Sequence, residues 1–445
     1  MSKTTLDLST LSDIADGTHT VKVKAKADGY IDSEASNAVN YTVTTPIPTD
    51  SILFEGETSD FTLKATYKEW NGTVEYSTDK NTWSTWDGSE ISSANKKLYL
   101  RGKNNTKFYT SNGVQFVLSA NAGCYGNINT LLDYENPPIS VGKNCYRSMF
   151  QGCTSLISAP ELPATTLEAS CYREMFYGCT SLTIAPALPA TTLKNGCYAE
   201  MFQGCTSLTV APALPATTLA DACYSSMFYG CTSLTTAPEL PATTLAGSCY
   251  MRMFYGCTSL TEAPALPATT LETGCYYQMF SGCTSLASAP ALPATTLAGK
   301  CYYRMFSGCT SLATAPALPA TTLVNFCYQS MFSGCTSLTT APALPATTLT
   351  ISCYDMMFQG CTSLTTAPEL PATKLAKSCY EYMFYGCTSL KISDTQTGEY
   401  TIAWRIPSTG KITSTATQWS VNMLTNTGGT FTANPSINTT YYIAA

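Results

Sequence analysis

Twenty-one cysteines and a single histidine are the residues of this 445-residue chain whose types could do distinctive chemistry, and their spacing argues against most of it. Ten cysteines recur every 26 residues from Cys145 to Cys379, ten more follow each of these by eight residues, from Cys153 to Cys387, and Cys124 stands apart. An odd total leaves at least one thiol without an intramolecular partner. Taking the segment between Cys171 and Cys179 as helical, an eight-residue offset is about 12 Å, beyond disulfide reach. Pairing inside a repeat is therefore not expected, while disulfides between adjacent repeats stay open. No Cys-x-x-Cys occurs and the one histidine is His19, so neither a clustered zinc site nor any other metal site is expected. Both cysteine columns read as small buried hydrophobes that stack repeat upon repeat.

The other reactive types give no constellation. His19 falls in a strand-like stretch near the N-terminus, which excludes Ser-His-Asp and Cys-His nucleophiles from the repeats. Glu161, Glu239 and Glu369 share one repeat position but lie 78 and 130 residues apart, too distant for a glycosidase pair. Glu174 and Glu200, in neighbouring repeats, read as a solvated face. No Gly-rich phosphate loop appears. No enzyme activity and no cofactor are expected.

The elements that carry these residues follow from the repeat itself. Cys-Tyr-x-x-Met-Phe-x-Gly-Cys-Thr-Ser-Leu occurs ten times, joined by Ala-Pro-x-Leu-Pro-Ala-Thr-Thr-Leu, with Lys374 once replacing the second Thr. Such a period means stacked units, each covering its neighbour's apolar face. Leu167, Cys171, Met175 and Cys179 fall at four-residue steps with Phe176 alongside, which predicts an inward-facing helix capped by Thr165 or Thr166 and ended at a left-handed Gly178. Ser181 to Leu188 holds Pro186, with Pro189 behind it, and so allows only a short strand. Stacked strands sit about 4.8 Å apart while helices are wider, so the stack is expected to curve with its strand side concave.

Phe-x-Gly-Cys-Thr-Ser-Leu followed by a short strand ending in Leu-Pro resembles the BspA-like leucine-rich repeats of bacterial surface antigens, with their Ala-Phe-x-Gly-Cys-x-x-Leu core. Met175 takes that family's Ala position, and Cys171 takes a buried aliphatic position. The units here are about three residues longer than the family's usual repeat, the extra falling around Ala-Pro-x-Leu-Pro and Leu-x-x-x-Cys. The resemblance covers Cys145 to Leu390 and implies an α/β repeat solenoid of leucine-rich-type coils, short parallel strands plus helices. For function it implies adhesion or recognition.

Around the ten-repeat solenoid, 145–390, the chain divides further. Residues 48–120 alternate in Phe61-Thr-Leu-Lys-Ala, Thr73-Val-Glu-Tyr-Ser and Lys97-Leu-Tyr-Leu-Arg between Asn-Gly and Asp-Gly turns, which predicts a small all-β sandwich. Residues 1–47, with Gly17-Thr-His-Thr-Val-Lys-Val-Lys and Ser36-Asn-Ala-Val-Asn-Tyr-Thr-Val, resemble the second half of an immunoglobulin-like or fibronectin type III-like β module. Its front strands are missing, which leaves an edge that another structural chain could complete. Residues 121–144 read as a degenerate N-terminal cap. Residues 391–445 read as a closing cap, with Trp419, Met423-Leu424 and Thr427-Gly428 at the core spacing and an inserted β segment around Tyr400 to Ile406.

Net charge is −6, and the solenoid block carries eight basic and eleven acidic residues, too few and too mixed for nucleic acid or anionic lipid to be an expected partner. No stretch approaches 18 consecutive apolar residues, so membrane insertion is not expected. The first residues lack the apolar run of a secretory signal peptide, and the expected location is extracellular or virion-associated, as for a phage tail component released by lysis. What varies between repeats is then the signal. One column, expected to line the concave face, runs Ser158, Ile184, Val210, Thr236, Glu262, Ser288, Thr314, Thr340 and Thr366. A second, on the helix side, carries Tyr177, Tyr229, Tyr255 and Tyr385, with Tyr277, Tyr303 and Tyr382 nearby. Exposed tyrosines suit sugar or protein contacts and equally suit shielding of the helix surface. The expected function is non-enzymatic recognition of a cell-surface polysaccharide or protein receptor, by a phage tail receptor-binding component or a bacterial adhesin. A structural spacer or fibre element is the alternative, and ice binding by the Thr columns a third.

Overall fold

The computed structural model describes residues 17–21, 39–43, 49–109 and 113–390 and four short strands beyond them. The chain forms two compact units, Met1–Pro48 and Thr49–Ala445. In the first, β1 (Gly17–Val21) and β2 (Val39–Val43) pair antiparallel, with His19 opposite Tyr41. The rest of the expected immunoglobulin-like or fibronectin-like module lies outside the described residues.

The second unit begins with β3 (Ile52–Gly56), β4 (Thr62–Ala65), β5 (Thr73–Ser77), β6 (Ser84–Thr85), β7 (Ile91–Ser92), β8 (Lys97–Lys103), β9 (Phe116–Leu118) and β10 (Ala122–Tyr125). It continues with β11 (Ser140–Val141), β12 (Leu156–Ser158) and β13 (Thr166–Leu167). One sheet runs β12-β10-β3-β8-β5-β6 and a second runs β7-β4-β9. Strand β10 is the hinge of this topology: it lies antiparallel to β3, with Cys124 opposite Phe54, and parallel to β12, with Ala122 opposite Leu156. The segments expected as a sandwich and a cap therefore share a sheet with the first coil. Their aromatic core continues the same way. Trp70 stacks on Trp86 at 5.4 Å, Trp86 meets Phe116 at 5.7 Å, Phe116 meets Phe150 edge-on at 5.5 Å, and Phe108 stacks on Tyr146 at 6.0 Å.

From there two aromatic columns run the length of the repeats. Tyr172 stacks on Tyr198 at 5.9 Å and Phe176 on Phe202 at 5.6 Å, both nearly parallel, and every coil repeats the arrangement. Each buried ring contributes roughly 1.5–3 kcal/mol of apolar burial, and only because a neighbouring coil covers it.

The expected helix between Cys171 and Cys179 is not there. Ser170, Glu174 and Gly178 have left-handed backbone, φ +56°, +58° and +70°, and break any helix every fourth residue. The backbone donors alternate instead. Cys171, Arg173, Met175, Tyr177 and Cys179 donate to the carbonyl three residues back, and Tyr172, Glu174, Phe176 and Gly178 donate to Cys197, Ala199, Met201 and Gln203 of the next coil, at 2.7–3.0 Å. The side is a run of tight turns laced coil to coil. The apolar step of four residues, sustained twice, fits this better than a helix, which would drift about 40° at each such step. Without a wide helical layer, the expected cause of curvature and of a concave strand side is absent. Among the described residues the one short helix is a 3₁₀ turn at Ile128–Leu131, whose Asn129 N–H is capped by the Asn127 side chain.

The strand side is as short as the prolines demand. Outside β12 and β13 it is reduced to single parallel bridges, Ile184 to Val210 to Thr236 on one ladder and Thr192 to Thr218 to Thr244 on another. Near the C-terminus β14 (Gly410–Thr413) pairs antiparallel with β17 (Thr440–Ile443), and β15 (Trp419–Val421) with β16 (Phe431–Ala433). Trp419, expected to replace a coil's first cysteine, instead sits in a strand opposite Ala433. The expected β segment around Tyr400 to Ile406 lies outside the described residues.

Candidate functional site

The cysteines are free thiols, twenty of them in two columns with Cys124 apart, and all are buried except the half-buried Cys387. In the second column every thiol from Cys179 to Cys387 donates to the phenylalanine carbonyl of the preceding coil, as Cys179 does to Phe150 at 3.0 Å and Cys205 to Phe176 at 3.1 Å. Burial pushes the Cys145, Cys197 and Cys205 thiols up to about 12. A protonated, hydrogen-bonded thiol is a poor nucleophile and a poor metal ligand. Among the described residues no group of three or more His, Cys, Asp or Glu side chains is placed to hold a metal ion. Eight residues between Cys171 and Cys179 gave the columns; the S–H to carbonyl bonds had no sequence signal.

The expected strand-side column is a continuous backbone ladder, from Ser158 through Ile184, Val210, Thr236, Glu262, Ser288, Thr314 and Thr340 to Thr366. Its side chains are exposed from Ile184 onward, and Ile184 and Val210 are the most exposed large apolar residues on it, at 68% and 62%. On the neighbouring column the Thr183, Thr339 and Thr365 hydroxyls are turned back to carbonyls of the preceding coil. The connectors add small apolar atoms: Ala289 to Pro293 with Pro316, Ala317 and Pro319 line a shallow open groove that holds no ionisable group.

The turn side is more varied, and its geometry follows from the left-handed residues. Between the buried Cys-Tyr and Met-Phe pairs, two residues per coil lie on the turn side, buried at Ala199, Ser225, Ser330 and Asp355 and half-buried or exposed at Arg173, Tyr277 and Arg304, and a third lies just before the glycine. The second of these is left-handed in every coil from Ser148 to Tyr382, φ +50° to +60°, although none is glycine, whereas four residues on, the same backbone region is always glycine. At Gly178 or Gly204 an added Cβ would find only ordinary contacts, so it is the positive φ that calls for glycine there.

These turn-side residues link laterally. Arg173 donates through Nε to Glu174 at 3.0 Å and through Nη2 to Glu200 at 2.7 Å, while Arg147 lies 3.5 Å from Glu174 and the Ser148 hydroxyl donates to it at 3.0 Å. The two glutamates expected as a solvated face are thus bridged by an arginine and half-buried. In mid-solenoid, Tyr229 stacks on Tyr255 at 4.6 Å and Tyr277 on Tyr303 at 4.7 Å. Arg252 lies 5.5 Å over the Tyr277 ring and donates to Gln278 at 2.8 Å, and Arg304 lies 5.4 Å over Tyr303. Toward the C-terminal coils Tyr382 meets Tyr385 edge-on at 6.0 Å, and Tyr177 stands between coils that carry Gln151 and Gln203 at its position. The structure therefore gathers four of the seven expected tyrosines into one central patch.

Asp355 was not singled out by its sequence. It is 6% exposed, accepts from Gln329 Nε2 at 2.8 Å through one oxygen, and its other oxygen is buried without a hydrogen-bond partner. Burial raises its carboxyl to about 6, the Gln329 bond and Arg304 opposing and Glu381 adding to the rise.

The family model for the BspA type leucine rich repeat region matches this chain over residues 130–260, 196–339, 250–391 and 299–426, more than half of its length. No curated protein and no solved structure matches it.

Proposed function

Because the chain belongs to the BspA-type leucine-rich repeat family, whose members are typically surface-associated, non-enzymatic binding scaffolds, we propose that it is a recognition protein whose solenoid reads a cell-surface glycan or protein receptor. One observation carries this reading. Across ten coils the buried Cys, Tyr, Met, Phe and Leu positions do not change, while the partly exposed turn residues change type from coil to coil, through Arg173, Met251, Tyr277, Gln329 and Glu381, and the exposed strand-side column through Ile184, Val210, Thr236 and Glu262. A packed stack fixes the first set, and an open repeat surface leaves the second free to specify a partner. Its setting is the outside of a cell or a virion, as a bacterial adhesin or a receptor-binding component of a phage tail. The first unit supplies attachment, its β1–β2 pair completed by another structural chain.

The test is binding of the labelled full chain to a panel of bacterial cells and their extracted surface polysaccharides, with unlabelled chain as competitor. Saturable, competed binding to particular strains is the expected result, and its absence from every strain would overturn the reading. A structural spacer is the second reading, and the near-uniform Ala-Pro-x-Leu-Pro-Ala-Thr-Thr connectors favour it. Under it no substitution on either face alters attachment to cells.

A further inference from the structure

We propose that the central turn face, built from Tyr229, Arg252, Tyr255, Tyr277, Tyr303 and Arg304, binds an anionic polysaccharide through its carboxylate or phosphate groups. The proposal rests on the recognition reading above and gives that reading a site and a ligand class.

The backbone provides the first reason. Arg252 and Arg304 hold φ at +54° and +50°, whereas Gly256 and Gly308, four residues further along in the same turns, hold φ +69° and +75° without a side chain. A non-glycine residue in this region carries a cost of order 1 kcal/mol. The position keeps a non-glycine residue in every coil, and in these two coils it carries a long cationic side chain.

Charge provides the second. Near the N-terminal coils Arg147 and Arg173 are neutralised by Glu174 and Glu200. Among the described residues Arg252 and Arg304 form no ion pair: Arg252 is steered by a neutral Gln278, and each guanidinium lies against a tyrosine ring. Two positioned cationic forks with no carboxylate in ion-pair contact fit a ligand that brings its own anions.

Shape provides the third. The stacked pairs Tyr229–Tyr255 and Tyr277–Tyr303 hold their rings 6° and 11° from parallel, so little entropy remains to be lost on binding. Arg252 joins the pairs through the backbone, its N–H donating to the Tyr277 carbonyl at 2.8 Å and its carbonyl accepting from the Tyr255 N–H at 3.2 Å, while its side chain lies over the Tyr277 ring. The row crosses four coils, roughly 15 Å at the interstrand repeat.

The experiment titrates the full chain with polygalacturonate, with a polyglycerol phosphate and with neutral dextran, by calorimetry at two salt concentrations. The expected result is binding of at least one anionic polymer, weakened by salt, with dextran inert; the stronger of the two anionic arms names carboxylate or phosphate as the source. The Arg252→Gln/Arg304→Gln double variant should lose roughly tenfold or more in affinity with its melting midpoint unchanged, and Ile184→Ser/Val210→Ser on the strand side should bind as the parent does. Equal binding of dextran, unchanged affinity in the arginine variant, or no binding of either anionic polymer would overturn the proposal. In those cases retained binding to whole cells leaves the recognition reading standing, and loss of both removes it as well.

Discussion

The Cys205 thiol donates to the Phe176 carbonyl oxygen across 3.1 Å, and that same oxygen accepts the Cys179 backbone N–H at 3.1 Å. One carbonyl thus ties the end of its own turn run to the coil above. Replacing Cys205 by alanine removes the first of these bonds and opens a small void. The expected loss is about 1–2 kcal/mol, read as a lower denaturant midpoint for the repeat region; an unchanged midpoint would mean that the thiol only fills space.

The thiols also set an alkaline limit. In the folded chain Cys197, Cys205 and Cys301 are raised to about 12 from an ordinary value of 9.0, because burial disfavours the thiolate. Between those values the unfolded chain has released protons that the folded chain still holds, so stability is complete below pH 9 and falls as pH rises above it, by about 1.4 kcal/mol per pH unit for each thiol. Denaturation midpoints measured from pH 8 to 10.5 should fall with a slope that steepens above pH 9. At pH 8 the folded protein should resist a thiol-alkylating reagent that labels the unfolded chain throughout.

Asp355 predicts an effect of the same sign in acid. Its carboxyl is raised from 3.8 to about 6, the buried, unpartnered oxygen favouring the protonated form. Its contribution to stability is therefore full below pH 3.8 and is lost as pH climbs through 6. Asp355→Asn keeps the shape without the charge, so at pH 7 the variant should be at least as stable as the parent. The difference between the two should shrink as pH falls to 5, in parallel melting curves.

Left-handed positions predict opposite outcomes for similar edits. Gly178→Ala places a Cβ on a residue at φ +70° and should cost about 1 kcal/mol. Ser226→Gly relieves a non-glycine at φ +53° and should be neutral or stabilising by up to about 1 kcal/mol, net of the entropy that glycine adds to the unfolded chain. Equal destabilisation by both would show that the turn run tolerates strain elsewhere.

The repeat, its buried columns and its punctuation by glycine and proline were legible because packing repeats them in register. The turn run was not, since a helix and a chain of four-residue turns both bury Cys171, Met175 and Cys179 on one side; only the sustained step of four and the non-glycine residues in left-handed conformation separate them. The β10 junction escaped because pairing of Ala122 with both Gly56 and Leu156 is long-range and leaves no periodic trace. The stacked tyrosine pairs could have been found by writing the coils beneath one another, since Tyr229 and Tyr255, and Tyr277 and Tyr303, are each one repeat apart. Arg173 reaching Glu200, 27 residues on, needed the geometry.

The alternation of backbone donors has a genetic consequence. Each turn-side N–H that leaves its coil is met by a carbonyl 25 residues later, and this offset repeats from coil to coil. Excising or duplicating one 26-residue unit therefore returns every bond to a carbonyl of the same kind. Unequal crossing-over among such similar coding units can lengthen or shorten the stack of coils in whole steps without a misfolded intermediate length, while moving the central tyrosine patch nearer to or farther from the N-terminal sheet.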